Sequence, residues 1–591
     1  MKRIIIVMLA VLSLVSCLKS FEDTSFVPEK AVMSWSGSPE GPMIADAATF
    51  EVNLSSNLPW RISACPTWAT VTPKSGLGNE KITISIQRNR TIEQRRGVIR
   101  ASVTSDQYCE LELVQDGSSS GGSMTYYVKP GGAGEKTGLS WANATTLAGA
   151  IDLVADGDTI LVAAGTYYPE TVLTGSDVAD ESNKTFEIHS NFALLGGFPA
   201  NADDGATTIA DRDPSVNVTT LSGAMENSSA YHVVIVTASR IEGKWATISG
   251  FTITGGNAAA TDAEVLWPVG GVSYSTSHGG GLVVGPAEVH INDCIITANE
   301  SRNHAGGVFL KQNGLTKMEN VRISNNTCAI NGGGLWNCGT TLYMNNCTVS
   351  DNISGAQAAG FYSIDSGGCA SVSRIYNSTF SGNDCTTVQA SRSGGGAYIR
   401  EYSDCVFVGC TFSGNKAGNG GAVQGYGANG KASRLTLISC TVVGNHADLL
   451  GGGISYWNTF NTTDIYNCII SGNDAPNGPD LGIGSNVTTD PNLSYTTTIL
   501  GNALYTATGV PSGSWTFNAT TMLGAFGFNG GVTMTYPLVD IETNPACSQG
   551  MSVSQLVSVG SSLSPAVDPS IFNKDQRGKD RTTDYIGSCT K

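Results

Sequence analysis

Between Phe251 and Asn473 the chain alternates apolar and polar positions in short runs. One phrase, of which Cys347-Thr-Val-Ser-Asp-Asn352 is an example, has seven copies that begin 26 to 32 residues apart. Within each copy the alternation has a period of two, which predicts a short β-strand. Glycine-rich corners such as Gly332-Gly-Gly-Leu-Trp336 lie between the copies. A fixed period of this size indicates a stacked-repeat architecture.

Copies that run in the same direction have to stack in parallel, with one coil of backbone on the next, as in a parallel β-helix. Equivalent residues of neighbouring coils then lie about 4.8 Å apart. The last Asn of each copy, from Asn299 to Asn473, should form a ladder of side-chain amides at one turn. The Cys that opens most copies should form a column of buried thiols, because parallel side chains at this spacing stand too far apart for disulfides. That column consists of Cys294, Cys347, Cys410, Cys440 and Cys468.

This pattern resembles the right-handed parallel β-helix of the pectin-lyase-like fold, and it is most similar to the non-enzymatic bacterial surface versions of that fold. The resemblance covers about Tyr126 to Lys591, and the right-handed sense of the coils comes from it. It implies that a short helix at about Leu147 to Val154 covers the first coil, which would otherwise expose a sheet edge and the core.

Residues 31–117 carry a different pattern. Ile82, Ile84 and Ile86 alternate with polar residues, and turn residues such as Pro73-Lys-Ser-Gly76 separate the apolar runs. Short alternating runs divided by turns predict a small β-sandwich. The predicted fold class is therefore all-β, a small β-sandwich followed by a right-handed parallel β-helix.

Two phrases of this first unit, Pro66 to Gly76 and Val114-Gln-Asp-Gly117, resemble the BACON domain. That module is common in Bacteroidetes surface proteins and is proposed to bind carbohydrate or mucin. Trp60 and Trp68 are the rings that the resemblance suggests for stacking on a sugar. Core positions in the sandwich are the alternative for both rings.

The chain begins with a pattern typical of a targeting segment. Lys2-Arg3 precedes an apolar run from Ile4 to Val15, which is too short to span a membrane. Leu14-Val15-Ser16-Cys17 resembles a bacterial lipobox, which implies a lipid on Cys17; a plain secretory signal is the alternative. Phe21-Glu22-Asp23 resembles the acidic export tag of Bacteroidetes surface lipoproteins. Together they imply a protein held in the outer membrane by its N-terminal lipid and exposed at the cell surface.

These patterns divide the chain into a signal peptide with the lipobox Cys (1–17), a tether (18–30), the BACON-like sandwich (31–117), a linker (118–123) and the β-helix (124–591). Within the β-helix we expect N-terminal coils and a cap to about residue 245, regular repeats over 246–475, and C-terminal coils and a cap over 476–591.

The net charge is −16, from 33 basic and 49 acidic residues, and no basic cluster is present. This balance argues against nucleic acid as a partner. It also gives no long-range attraction for polyanionic sugars such as pectate. A charged fraction of only 14%, together with 72 glycines, suits a secreted β-solenoid. The oligomeric state is left open.

The cysteines do not indicate a zinc site, because none of the 15 forms a Cys-x-x-Cys pair. Disulfide pairing stays open among Cys65, Cys109, Cys328, Cys338, Cys369, Cys385 and Cys405.

A catalytic site has weak support. Arg302 and His304 lie near one turn with Glu300 beside them, and they are the best candidates for the base and acid that a lyase would need. A solvated turn explains the same residues. No metal or cofactor is expected, except for calcium under the lyase alternative.

Aromatic residues follow the glycine corners, and those singled out as ligand-binding candidates are Trp336, Tyr398, Tyr456 and Trp457. A row of rings along one face of a solenoid could form a platform for a glycan chain. The same rings could instead fill the interior.

The favoured hypothesis is a non-catalytic glycan-binding or adhesive surface lipoprotein. The alternatives are a polysaccharide lyase or glycoside hydrolase acting in a groove of the β-helix, and a structural stalk. Two carboxylates, or acids with a base, in one groove would favour the enzyme. Aromatic rings without such a cluster would favour binding.

Overall fold

The computed structural model describes residues 30–39, 41–89, 91–118, 122–259, 264–386, 392–484, 487, 493–500, 517–581 and 584–590. The predicted signal peptide with Cys17 and nearly all of the tether lie outside these residues. Internal contacts divide the chain into two compact units, and the boundary along the sequence lies between Ser123 and Met124. In the ranges given, every helix is too short or too polar to cross a membrane.

The first unit contains two antiparallel sheets of four strands each. In sheet order, their strands are Met33–Ser36, Ala48–Ser56, Glu80–Ile86 and Ala69–Thr72, then Ser75–Leu77, Pro59–Ala64, Arg95–Ser102 and Tyr108–Gln115. Leu54 and Ile84 of the first sheet share one buried core with Ile99 and Leu111 of the second. The isoleucines whose alternation predicted the sandwich are buried in that core.

The second unit is built on three long parallel sheets, here called sheets 1, 2 and 3, with 12, 11 and 10 described strands. Sheet 1 contains Thr125–Val128, Thr159–Ala163, Ala193–Phe198, Ala246–Ser249, Glu288–Asn292, Leu315–Glu319, Thr341–Asn345, Ser371–Tyr376, Ser403–Val408, Ser433–Ile438, Asn461–Tyr466 and Leu493–Thr496. Sheet 2 contains Gly165–Tyr167, Thr219–Ser222, Phe251–Thr254, Ile295–Thr297, Arg322–Ser324, Thr348–Ser350, Thr379–Ser381, Thr411–Ser413, Thr441–Val443, Ile469–Ile470 and Ile499–Leu500. Sheet 3 contains Phe186–Ile188, Val234–Val236, Leu282–Val284, Val308–Leu310, Leu335–Cys338, Phe361–Ile364, Ala397–Ile399, Val423–Gly425, Ile454–Tyr456 and Leu481–Ile483.

Shorter elements lie at the turns and at the ends. The short strands are Asn257–Ala258, Glu300–Ser301, Thr327–Cys328, Ile353–Ser354, Lys416–Asn419 and His446–Leu450, and a hairpin pairs Leu266–Val269 with Val272–Ser275. The α-helices are Leu147–Leu153, Ala519–Met522 and Val553–Ser561, and the 3₁₀ helices are Glu181–Asn183, Ile209–Asp211, Pro545–Cys547 and Pro569–Asn573.

Successive coils place one strand in each long sheet, and neighbouring strands pair in parallel. The predicted fold class, a small β-sandwich followed by a right-handed parallel β-helix, is confirmed. The helix Leu147–Leu153 forms where a cap was expected, and it buries Leu147, Ala150 and Ile151 in the main core.

Inward side chains from all three sheets fill that core, and Ile291, Ile296 and Leu282 represent one coil. The cysteine column lies inside it as buried thiols, as the alternation predicted. No disulfide joins any of the cysteines in the described ranges. Burial raises the pKa of Cys347 to about 12, so this thiol stays protonated.

The predicted asparagine ladder is present. The side-chain amide of Asn352 donates to Oδ1 of Asn383 at 2.9 Å, and that of Asn383 donates to Oδ1 of Asn415 at 2.8 Å. The residue before each Asn adopts the left-handed backbone, as Asp351 does with a φ of 56°. After Asn473 the ladder ends on the buried carboxylate of Asp480, 2.9 Å away. Each amide therefore ties one coil to the next.

We expect Asn415→Ala to lower the free energy of unfolding by about 3 kcal/mol, because buried partners of its side chain would be left unsatisfied. These partners include the carbonyl of Phe380 and the amides of Asn383 and Asn445. The midpoint of thermal unfolding measures the effect. Lys416→Ala on the same coil is the matched control, since its ion pair with Asp384 is largely exposed and should contribute little. Equal midpoints for both variants would contradict this account of the ladder.

Candidate functional site

The C-terminal segment, residues 517–581 and 584–590, lies along the outer faces of sheets 1 and 2. Arg374, whose side chain is fully buried on sheet 1, donates to the carbonyl oxygens of Ser564 at 2.8 Å and Pro565 at 3.0 Å. Its guanidinium also lies 3.2 Å from the carboxylate of Asp404. On sheet 2, Thr411 donates to the side chain of Gln576 at 2.6 Å. The segment covers the later coils and leaves the middle coils of sheet 1 open.

The uncovered part of sheet 1 forms a groove of about 720 Å³. Its floor includes His290, Lys317 and Tyr343, which occupy the same register position on three consecutive strands. The next residue in this row is Arg374, where the covering segment begins. The groove is lined by Arg240, His290, Asn292, Leu315, Lys317, Met318, Glu319, Thr341, Tyr343, Met344, Asn345, Tyr376, Ala566, Asp568 and Ile571. The groove therefore occupies the part of sheet 1 next to the edge of the C-terminal segment.

Aromatic and basic side chains lie in contact at one end of the groove. The ring of Trp245 stacks on the imidazole of His290 with centroids 3.9 Å apart, and Nζ of Lys317 lies 4.7 Å from the Trp245 ring. Burial, together with the nearby Lys317 charge, lowers the pKa of His290, so its imidazole is neutral near pH 7. Nε2 of His290 is buried and has no hydrogen-bond partner among the described residues. Tyr343 is half-buried and presents its ring to the groove.

The charged groups in and beside the groove give no excess of positive charge. Glu288, only 3% exposed, accepts hydrogen bonds from Arg240 at 3.4 Å and from the backbone amide of Gly243 at 3.0 Å. Glu319 and Asp568 are exposed in the lining, opposite in charge to Lys317. The groove thus offers hydrogen-bond donors and acceptors without an excess of positive charge.

The ring candidates of the β-helix lie elsewhere, on sheet 3. Trp336 and Tyr398 point outward but are 7% and 4% exposed, because they stack in a column with Phe309 and Tyr362. Hairpin residues Trp267, Val269 and Val272 pack against the same cluster. An open aromatic platform, one of the two alternatives for these rings, is therefore absent at Trp336 and Tyr398.

Tyr456 and Trp457 are adjacent in sequence but differ in exposure. Tyr456 is fully buried in the interior, and its hydroxyl donates to the carbonyl of Asn461 at 2.8 Å. Interior packing, the alternative weighed from the sequence, thus describes Tyr456. Trp457 is half-buried and retains an accessible surface.

In the sandwich, Trp60 is a core residue whose indole donates to the carbonyl of Gly78 at 2.9 Å. Trp68 is half-buried, with the Arg95 guanidinium 4.4 Å above its ring. Of these two candidates, Trp60 is closed to a ligand and Trp68 presents part of its ring.

The three catalytic candidates lie outside the groove, and Arg302 is half-buried. Glu300 is exposed, and His304 turns its ring onto Trp336, with centroids 3.8 Å apart. Burial lowers the pKa of His304 to about 3, and the neighbouring His278 adds to this effect. None of Glu300, Arg302 and His304 contributes to the described lining of the groove. No group of three metal-ligating side chains converges within the described ranges.

Acidification should destabilise the β-helix through its buried histidines. His232 donates from Nδ1 to the carbonyl of Gly279 at 2.9 Å, and burial lowers its pKa to about 4. The unfolded chain, with a histidine pKa of about 6.5, then binds more protons than the folded protein between about pH 6.5 and 4. As the pH decreases through that window, the free energy of unfolding therefore decreases, by up to about 1.4 kcal/mol per pH unit for each such histidine.

His232→Gln should reduce the difference between the unfolding midpoints at pH 7 and pH 5, even if it lowers both. The unchanged protein, measured in parallel, is the reference. An unchanged difference would show that His232 does not contribute to the acid sensitivity.

The pattern of the repeats does not predict the groove. The one signal in the sequence is that His290, Lys317 and Tyr343 occupy the same outward register position on three consecutive coils. No such pattern indicates Trp245, because this residue precedes its strand and lies outside the repeat.

No family model matches the chain, and no curated protein matches it. Among solved structures, it is similar to pectate lyase Pel9A, with a TM-score of 0.39 and 16% identity over 64% of this chain and 79% of that chain. It is also similar to a Bacteroides ovatus GH5 xyloglucanase in complex with a XXXG heptasaccharide, with a TM-score of 0.14 and 12% identity over 44% of this chain and 72% of that chain. Both TM-scores are low, so the β-helix assignment rests on the strand pairing given above.

We expect Arg374→Met to release the C-terminal segment from sheet 1, because Asp404 and two carbonyl oxygens would lose a buried donor. The cost should be about 3 kcal/mol, as for other broken buried ion pairs. Limited proteolysis should then cut within residues 553–572 earlier than in the unchanged protein. Arg434→Met is the control, since its pair with Asp464 is partly exposed. Equal protection of the segment in both variants would contradict its attachment through Arg374.

Proposed function

We propose that the β-helix is a non-catalytic glycan-binding module and that the groove on sheet 1 holds the glycan. The observation that carries this proposal is the row of His290, Lys317 and Tyr343 on the floor of an open groove of about 720 Å³. Sugars present an apolar ring face together with hydroxyl groups. An aromatic ring beside polar side chains matches both. Because the row follows the helix axis, it suits an extended chain.

The charge balance favours a neutral glycan. Arg240 is paired with Glu288, and the lining adds one further cation, Lys317, and two carboxylates, Glu319 and Asp568. A polyuronate would meet carboxylates in the groove and a net charge of −16 on the chain. A neutral polysaccharide avoids both penalties.

The acids of the groove favour binding over hydrolysis, although Glu319 and Asp568 place two carboxylates in the lining. Both are exposed to solvent, whereas the acid of a glycosidase lies in an apolar pocket. Glycoside hydrolysis uses two carboxylates, one to protonate the leaving group and one to act as nucleophile or base. Both oxygens of Glu288 accept hydrogen bonds, from Arg240 and from Gly243. This engagement leaves Glu288 poorly suited to transfer a proton.

The placement in the cell belongs to the same proposal and is supported by sequence alone. The lipobox-like Cys17 would anchor the protein in the outer membrane with the β-helix at the cell surface. The BACON-like sandwich would either bind carbohydrate or mucin itself or hold the β-helix away from the membrane. A binding module on a lipid anchor would retain glycan near the cell.

Tyr343→Ala should weaken binding of a neutral polysaccharide about tenfold, since a lost ring contact is worth about 1.4 kcal/mol. Affinity electrophoresis and calorimetry with mixed-linkage β-glucan, galactomannan and polygalacturonate measure this. Tyr168→Ala, which removes an exposed ring outside the groove, is the matched control.

Two results would overturn the proposal. New reducing ends or unsaturated uronate absorbance that persist through repurification would establish an enzyme. Retention of none of the polysaccharides by the unchanged protein would leave a structural stalk as the explanation.

A further inference from the structure

The outer face of sheet 3 carries a second arrangement of aromatic and charged residues, centred on Arg400. Nη1 of Arg400 donates to the hydroxyl of Tyr362 at 3.2 Å, and Nη2 donates to Glu401 at 2.6 Å. The guanidinium carbon lies 5.6 Å from the Tyr398 ring and 5.2 Å from the Tyr426 ring. Arg400 is thus fixed between two rings and a carboxylate, with no net charge on the ion pair.

Several polar atoms of this cluster lack partners. Nε of Arg400, Oε2 of Glu401 and Oε1 of Gln424 are buried and make no hydrogen bond to the described residues. Glu401 is 8% exposed and Gln424 is 2% exposed. Leaving such atoms unsatisfied destabilises the folded state, so native structures rarely retain them without water or a ligand. The cluster therefore has one donor and two acceptors that lie below the surface and that the described residues leave unsatisfied.

The register of sheet 3 places these residues on neighbouring strands. Tyr398 is the strand partner of Gln424, and the neighbouring Ile399 pairs with Gly425, which sets Arg400 beside Tyr426. Arg400 and Tyr426 are both half-buried, so the cluster reaches the surface. This surface is formed by a different sheet from the groove of sheet 1.

We propose that this cluster, defined as Tyr398, Arg400, Glu401, Gln424 and Tyr426, is a second binding site for a neutral sugar residue. Because these atoms are buried, the half-buried side chains of Arg400 and Tyr426 have to move aside for a sugar. A sugar hydroxyl both donates and accepts, so neighbouring hydroxyls can then accept from Nε of Arg400 and donate to Glu401 or Gln424. The partly exposed ring of Tyr426 can pack on the sugar ring. Because the Arg400–Glu401 pair is neutral, the site gives no preference for an acidic sugar. The inference rests on the proposed glycan-binding function but uses none of the residues of the groove.

The test uses the purified protein with Tyr343→Ala as background, so that the groove is already weakened. Calorimetry with mixed-linkage β-glucan compares this variant with the same background carrying Gln424→Met or Tyr426→Ala. Gln424→Met removes an unsatisfied acceptor at similar volume, so a purely structural role predicts unchanged binding and equal or higher thermal stability. The proposed role predicts that each second substitution weakens the residual binding about tenfold. Tyr168→Ala in the same background should have no effect.

The outcomes separate the two proposals. Residual binding that Gln424→Met and Tyr426→Ala leave unchanged would mean that these polar atoms serve ordered water, and it would overturn the second site alone. Loss of all binding with Tyr343→Ala would also overturn the second site while supporting the groove. If Tyr343→Ala leaves binding unchanged and Gln424→Met weakens it, the second site would be supported and the groove would be overturned as a binding site. No binding by the unchanged protein would overturn both.

Discussion

The structure depends on the vertical registration of its coils. In a parallel β-helix every side chain has a counterpart about one strand spacing above and below, so an inward polar group is tolerated only if the next coil supplies its partner. The Asn352, Asn383 and Asn415 amides meet this condition by bonding to one another. The buried thiols are weak donors and need no such partner. Registration is therefore enforced by side-chain hydrogen bonds at one turn, by backbone pairing in the three sheets and by apolar packing inside them.

Registration acts on the outward side chains as well, and both proposed sites result from it. On sheet 1 it brings His290, Lys317 and Tyr343 into one row, and on sheet 3 it stacks four aromatic rings. What distinguishes the two faces is their covering. The C-terminal segment leaves one stretch of sheet 1 open, while a hairpin and the rings themselves close much of sheet 3.

The sequence was sufficient for the properties that repeat. Period and alternation predicted the coils, the asparagine ladder and the thiol column, because each depends on residues within one repeat. Alternation also indicates which residues point outward, but it does not indicate whether another segment covers them. Trp336 is outward and buried for that reason. Arg374 contacts Pro565, 191 residues later, and no local pattern predicts such a contact or the groove that ends there.

The end of the ladder at Asp480 has a consequence for how this protein could have evolved. Each asparagine accepts from the coil before it and donates to the coil after it, so the series has a direction. A carboxylate can accept but has no proton to pass on, and it closes the series. Whole coils could therefore be duplicated or lost upstream without disturbing that terminus. Solenoid length is in this sense free to vary by recombination between repeats, whereas the final coil has to stay the same.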